Sequence, residues 1–220
     1  MSMNQERLDA LNNFKLSTGN HASLEEGACI MEMVSYVAGE KWSDHPECAC
    51  PILTEIAIRL NDRFRDEHRE LLKPLIPLLI GTRADDATQI ARKRFIMWRN
   101  VTVTYPLILD AIKLPELAEK LRTFDNSNEG MSAAAAFLKE NKEKIYAYAN
   151  ANAYANAYAY ANAYAYANAY AYANAYAYAY ANAYAYAYAY ANAYAYAYAL
   201  REKIALVAVE TLKLAIGVTA

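Results

Sequence analysis

Cysteine, glycine and proline are all scarce in this 220-residue sequence, at three, six and six residues. Three thiols are too few for the disulfide framework of a small secreted domain. The scattered glycines form neither a phosphate-cradling loop nor a Gly-x-Ser-x-Gly elbow, which argues against the chemistries built on those motifs. Long apolar runs are missing too. Aliphatic stretches such as Leu75 to Ile80 and Ala205 to Val209 fall far short of the ~20 residues that cross a bilayer as a helix. The amino terminus, Met1-Ser-Met-Asn-Gln-Glu-Arg7, has no basic region followed by an apolar stretch, so no secretory leader is expected. Charge of one sign is also lacking. Residues 1–145 hold 19 Lys/Arg and 22 Asp/Glu, a net of −3, and residues 200–220 carry a net of +1. Neither balance resembles a basic nucleic-acid tail or a membrane-binding arm. These absences predict a soluble protein of the reducing cytoplasm, with no membrane partner and no nucleic-acid partner.

What is present is most unusual between Tyr146 and Ala199. There alanine fills every odd position, and tyrosine or asparagine fills every even one: 27 Ala, 19 Tyr and 8 Asn, without charge, glycine or proline. Two-residue alternation is the period of a strand, with an alanine face and a Tyr/Asn face suited to cross-β ladders. A strand of that length has no precedent in ordinary sheets, and no Asn-Gly or proline marks a turn. Alanine at every second position favours helix instead, and tyrosine costs only a few tenths of a kcal/mol, roughly, at each site. Helix is the favoured reading, with β-assembly and disorder the alternatives. The asparagines, at 150, 152, 156, 162, 168, 174, 182 and 192, define no helical face, as in a tandem expansion without fixed site geometry. Aromatic rows bind single-stranded nucleic acid only alongside cations, which this tract does not have. An uncharged Tyr/Asn tract is adhesive to copies of itself, so self-association through 146–199 is the expected partnership.

The first 124 residues read as a bundle of short helices. Glu6 to Phe14 is the first. Ser23-Leu-Glu-Glu26 has capping-box spacing and predicts a helix from there to Ala38, stopped by Gly39. Its stripe Ile30, Met33, Val34 and Val37 faces a core. Pro51 opens the next helix, whose buried face is Leu53, Ile56, Ala57, Leu60 and Phe64. Pro74 and Pro77 interrupt the stretch Asp66 to Ile80. Asp85 and Asp86 cap a helix through Trp98, and the β-branched run Val101 to Tyr105 finishes it before Pro106, with a short strand as the alternative. Leu107 to Ile112 and Pro115 to Leu121 complete the bundle. A polar segment, 125–131, reads as a linker, 132–145 as a helical lead-in, and 200–220 as a closing helix with the stripe Leu200, Ile204, Val207, Thr211, Leu214 and Val218.

Candidate chemistry is sparse. Ser43-Asp-His-Pro-Glu-Cys-Ala-Cys50 lies in a loop between helices. His45, Cys48 and Cys50 with Cys29, or with His21 returning from upstream, form a thiolate and imidazole mixture that suits zinc. The paired Cys-x-x-Cys knuckle is absent, and the competing reading is that the cysteines are small core residues. Glu26, Cys29, Glu32 and Tyr36 share one side of the second helix, a carboxylate beside a thiol; such a glutamate more often caps or pairs. No catalytic residue is assigned. Arg92, Lys93 and Arg99 form the one basic, aromatic-bearing stretch that could meet phosphates, and a solvated helix face with Trp98 buried competes with it.

Glu26-Gly-Ala-Cys-Ile-Met-Glu-Met-Val-Ser-Tyr-Val-Ala-Gly-Glu40, Ser43-Asp-His-Pro-Glu-Cys48, Leu72-Lys-Pro-Leu-Ile-Pro77 and Gly81-Thr-Arg83 together resemble a group of uncharacterised bacterial and phage proteins. Those proteins have a helical head followed by an alanine-rich tail punctuated by aromatics. The resemblance covers roughly residues 1–125. It implies a helical head but no activity, and it implies that Cys50 is a less dependable ligand than Cys29 and Cys48. The tail departs from the group's pattern, which is richer in Ala-Ala runs with Trp, Asp and Arg.

The sequence therefore predicts a mainly α protein and a non-enzymatic interaction or self-assembly role, with the repeat as spacer or self-association element. The alternative is a zinc-binding regulatory or catalytic head using Cys29, His45 and Cys48.

Overall fold

The computed structural model describes residues 4–11, 14–151 and 195–220. They are mainly helical, and no strand occurs among the described residues. The interior of the Ala/Tyr/Asn tract, 152–194, lies outside them, and with it the choice between helix and β-assembly there. By contact the chain divides into two compact units, Met1–Lys93 with Val209–Ala220, and Arg94–Ala208.

In the first unit helices α1 (Gln5–Ala10), α3 (Pro51–Arg63) and α5 (Ile76–Leu79) pack against α2 (Ile30–Ala38). Helix α2 is buried all round except at Tyr36, so the expected stripe Ile30, Met33, Val34 and Val37 is only part of its core surface. Gly39 ends it in the left-handed region, at φ 72°. The buried face expected of α3 is all present: Leu53, Ile56, Ala57, Leu60 and Phe64. After α4 (Asp66–Arg69) a 3-10 stretch, Glu70–Leu75, contains Pro74, and α5 starts afresh with Pro77 in its first turn. The two prolines thus break the segment where their missing N–H groups require it.

Helix α2 begins six residues later than the Ser23 box implies. Gly27 sits at φ +132°, a conformation no helix contains, and Ser23 to Glu26 closes only a turn through Glu26 N–H and Ser23 O. The capping box that forms is Cys29 with Glu32. The Glu32 N–H donates to Cys29 Sγ at 3.5 Å, and the Cys29 N–H donates to Glu32 Oε2 at 2.7 Å. Cysteine stands where serine or threonine is usual, and the reciprocal logic is the same.

Helix α6 (Asp86–Arg99) is capped by Asp85, whose carboxylate takes the Thr88 N–H at 2.8 Å. Arg92 on this helix is buried. Its guanidinium donates to Thr82 O at 2.6 Å, Val218 O at 3.1 Å and Ile216 O at 3.1 Å. Ile216 is the last residue of the closing helix and Val218 lies just beyond it, where unsatisfied acceptors favour a cation. The basic stretch is therefore not a wholly solvated face, and its first arginine is committed to carbonyls of its own unit. Trp98 is half-buried and donates its indole N–H to Phe124 O at 2.8 Å.

In the second unit the helix does not stop before Pro106. It passes through a π segment, Asn100–Thr104, in which the Tyr105 N–H reaches back five residues to Asn100 O, and continues as α7 (Tyr105–Ala111) with Pro106 in the first turn. The wider turn accepts a proline that an unbroken α-helix would reject. Helix α7 packs on α8 (Pro115–Arg122). Helix α9 (Asn128–Glu140) starts inside the expected linker, capped by Ser127 Oγ on the Gly130 N–H at 2.8 Å. Helix α10 (Lys142–Ala151) carries the first residues of the tract, and α11 (Ala195–Ile216) carries the last. Burial on α11 follows Ile204, Ala205, Ala208, Thr211, Leu212 and Ala215, while Leu214 points outward. Of the expected stripe Ile204 and Thr211 are buried and Leu214 is not, and the buried set also takes in Arg201 and three alanines.

Candidate functional site

The densest polar cluster lies where the irregular segment 14–29 meets α2. Glu32, on the first turn of α2, is only 1% exposed. A buried carboxylate is costly unless its oxygens are bonded, and here they are. Oε1 accepts the His21 backbone N–H at 2.6 Å, and Oε2 accepts the Cys29 N–H at 2.7 Å and faces His21 Nδ1 at 2.9 Å. The opposite ring nitrogen, His21 Nε2, is 3.0 Å from Ser17 Oγ. Ser17 Oγ also accepts the Ala28 N–H at 3.0 Å, and its own N–H donates to Ala28 O at 2.9 Å.

The surrounding elements fix this array in place. Asn61, fully buried on α3, donates to Ser17 O at 2.7 Å and accepts the Ile30 N–H at 3.2 Å. The Gly19 N–H donates to Asp62 Oδ1 at 2.9 Å, and the Trp42 indole donates to His21 O at 2.7 Å. Arg69 joins the segment to the end of α3. It donates to Leu16 O, Asn61 O and Phe64 O while pairing with Asp66. Gly27 approaches so closely that an added Cβ would lie 2.6 Å from Ser17 Oγ and 2.9 Å from His21 Nε2. Glycine at this position is required both by its φ and by that approach.

The residues named from the sequence are placed differently. Cys29 is the N-cap of α2, and burial pushes its thiol up to about 12. Cys48 is buried, its thiol also raised by burial, and its N–H donates to Glu40 Oε1 at 2.9 Å. Cys50 is the buried N-cap of α3, with its N–H on Thr82 Oγ1 at 3.0 Å. His45 is 58% exposed, with Nδ1 against Asp44 at 2.7 Å and Nε2 against Glu55 at 3.4 Å. The Asp44 hydrogen bond chiefly raises its pKa. All three cysteines are free thiols. Among the described residues, no three His, Cys, Asp or Glu side chains form a group that could hold a metal ion.

Sequence reasoning reached His21 only as a returning ligand, placed Glu32 beside a thiol, and missed Ser17. The one legible signal was the Cys29-x-x-Glu32 spacing of a capping box. Among the described residues no helix is long and apolar enough to cross a membrane. Comparison of the chain with protein-family models, with curated proteins and with solved structures found no match.

Proposed function

We propose that the chain is an interaction or self-assembly protein of bacterial or phage type that works in the cytoplasm, with residues 146–199 as the element that brings copies together. The observation that carries this reading is the tract itself: 54 residues without a charge, bearing 19 phenols and 8 amides on an alanine background. Such a surface has no electrostatic repulsion to keep copies apart, and phenol and amide groups bond to their like. Its junctions add support, because α10 runs to Ala151 within the tract and α11 starts at Ala195 within it. The tract thus joins two folded helices and is not a trailing end. A concentration series of amide I infrared spectra, full chain minus a chain lacking 146–199, tests this. The expected difference spectrum changes as copies associate. A difference spectrum unchanged by concentration leaves the tract a spacer and removes self-association. Infrared is chosen because nineteen tyrosines distort far-ultraviolet circular dichroism.

A further inference from the structure

We propose that Ser17, His21 and Glu32 form a nucleophilic acyl-transfer site in the head, acting on small neutral or cationic carboxylic esters. This chemistry is independent of assembly through the tract. A serine becomes a nucleophile when a base holds its proton and a third group orients the base. Both contacts are present: Ser17 Oγ to His21 Nε2 at 3.0 Å, and His21 Nδ1 to Glu32 Oε2 at 2.9 Å. Glu32 is the positioning residue. Its two oxygens are already pinned by the His21 and Cys29 backbone N–H groups, so it presents one fixed acceptor to Nδ1. With Nδ1 carrying the ring hydrogen toward Glu32, Nε2 is left as the acceptor for the serine proton. The Ala28 N–H on Ser17 Oγ at 3.0 Å occupies one oxygen lone pair, and the hydroxyl has two acceptors in reach, His21 Nε2 at 3.0 Å and Ala28 O at 3.3 Å, of which the base is the nearer.

Access and charge define the substrate class. Ser17 and Gly27 are half-buried, Thr18, Gly19 and Asn20 are exposed, and the His21 side chain keeps 12% of its surface open. A Cβ at 27 would collide with the serine–histidine pair, so only glycine lets the backbone there pack against it. Among the described residues no hydrogen bond engages the N–H of Thr18, the residue after the nucleophile. That position often supplies an oxyanion donor. Exposed Glu25, Glu26 and Asp62 surround the loop and disfavour an anionic ester.

The reaction balances without a further reagent. Ser17 Oγ bonds to the ester carbonyl carbon as its proton passes to His21 Nε2. The carbon–alkoxide bond breaks, and the alcohol leaves with that proton. Water then attacks the acyl-serine, gives a proton to His21 Nε2, and the proton returns to Ser17 Oγ as the carboxylic acid departs.

The test treats the full chain with 4-nitrophenyl acetate and, separately, with an alkyl fluorophosphonate, and maps adducts by peptide mass spectrometry. The expected result is one acetyl or phosphonyl group on Ser17. Nitrophenolate release should fall on the order of a hundredfold or more in Ser17→Ala. Glu32→Gln should shift the pH profile of acylation, which a purely structural role would leave in place. Thermal unfolding of each variant confirms that it is folded. A folded wild-type chain with no adduct on Ser17 overturns the proposal, whether or not lysines or tyrosines are modified, and so does undiminished release from Ser17→Ala.

Discussion

The segment before α2 and the α7–α8 pair are both anchored to helices, by opposite means. The first hangs on a few polar atoms: Glu32 alone takes three nitrogen donors, and Asn61 and Arg69 hold the backbone on either side. The second is apolar, with Leu109, Ile112, Leu114, Leu117, Ala118 and Leu121 buried together and charged pairs such as Arg122 with Asp110 at its surface. The contrast teaches where fragility sits. An apolar contact shares its free energy among many atoms and fails by degrees. A buried carboxylate concentrates it, because removing the carboxylate leaves every donor unsatisfied.

Glu32→Ala should break the comparison most sharply. Three donors lose their acceptor, so a loss of about 3–5 kcal/mol is expected, read as a large fall in the denaturant midpoint. Leu121→Ala removes a fully buried side chain from the apolar pair and should cost about 3 kcal/mol through lost transfer and a cavity. Equal or reversed costs would show that the polar cluster is not the more concentrated of the two. Arg92→Met sharpens the same point elsewhere in the first unit. It keeps an unbranched apolar stem but abandons the carbonyls of Thr82, Ile216 and Val218, for about 2 kcal/mol.

Cys29→Ser should change little at neutral pH, since serine caps at least as well, but it should alter the alkaline limb. The folded thiol is raised to about 12 from an ordinary 9.0. Below about pH 9 both folded and unfolded chains hold the proton and the thiol's contribution is whole. Between there and 12 only the unfolded chain releases it, so stability falls as pH rises. Calorimetric melting temperatures should therefore decline less steeply with pH in the serine variant. Native Cys29 should also resist alkylation until the chain unfolds. The smallest effect belongs to His45→Asn, within about 0.5 kcal/mol at neutral pH for so exposed a side chain. Its raised pKa places any contribution on the acidic side, present below the unfolded value and lost as pH climbs through the folded one.

Periodicity made α3 legible, because its apolar spacing maps directly onto burial, whereas α2 is buried well beyond its apolar stripe. It failed where one residue's backbone overrides a local pattern. Ser23 to Glu26 has good capping spacing, yet Gly27 at φ +132° forbids the helix that should follow. Arg92 read as a surface cation because two of its three carbonyl partners lie 124 and 126 residues further on, a distance no local rule spans. Proline at 106 read as a stop because the π segment that absorbs it leaves no compositional mark. The Ser17–His21–Glu32 array was invisible for a related reason. Two of its members lie in irregular chain, where spacing carries no geometry, and the third was read only against its helical neighbour Cys29.

Residues 146–199 are proposed to join copies of this chain. Sedimentation equilibrium of the full chain and of a chain lacking 146–199, over a wide concentration range, tests it most directly. The expected result is a full chain whose mass rises with concentration beside a shortened chain that stays at the monomer mass. A full chain that remains monomeric throughout, or a shortened chain that associates equally well, would contradict it.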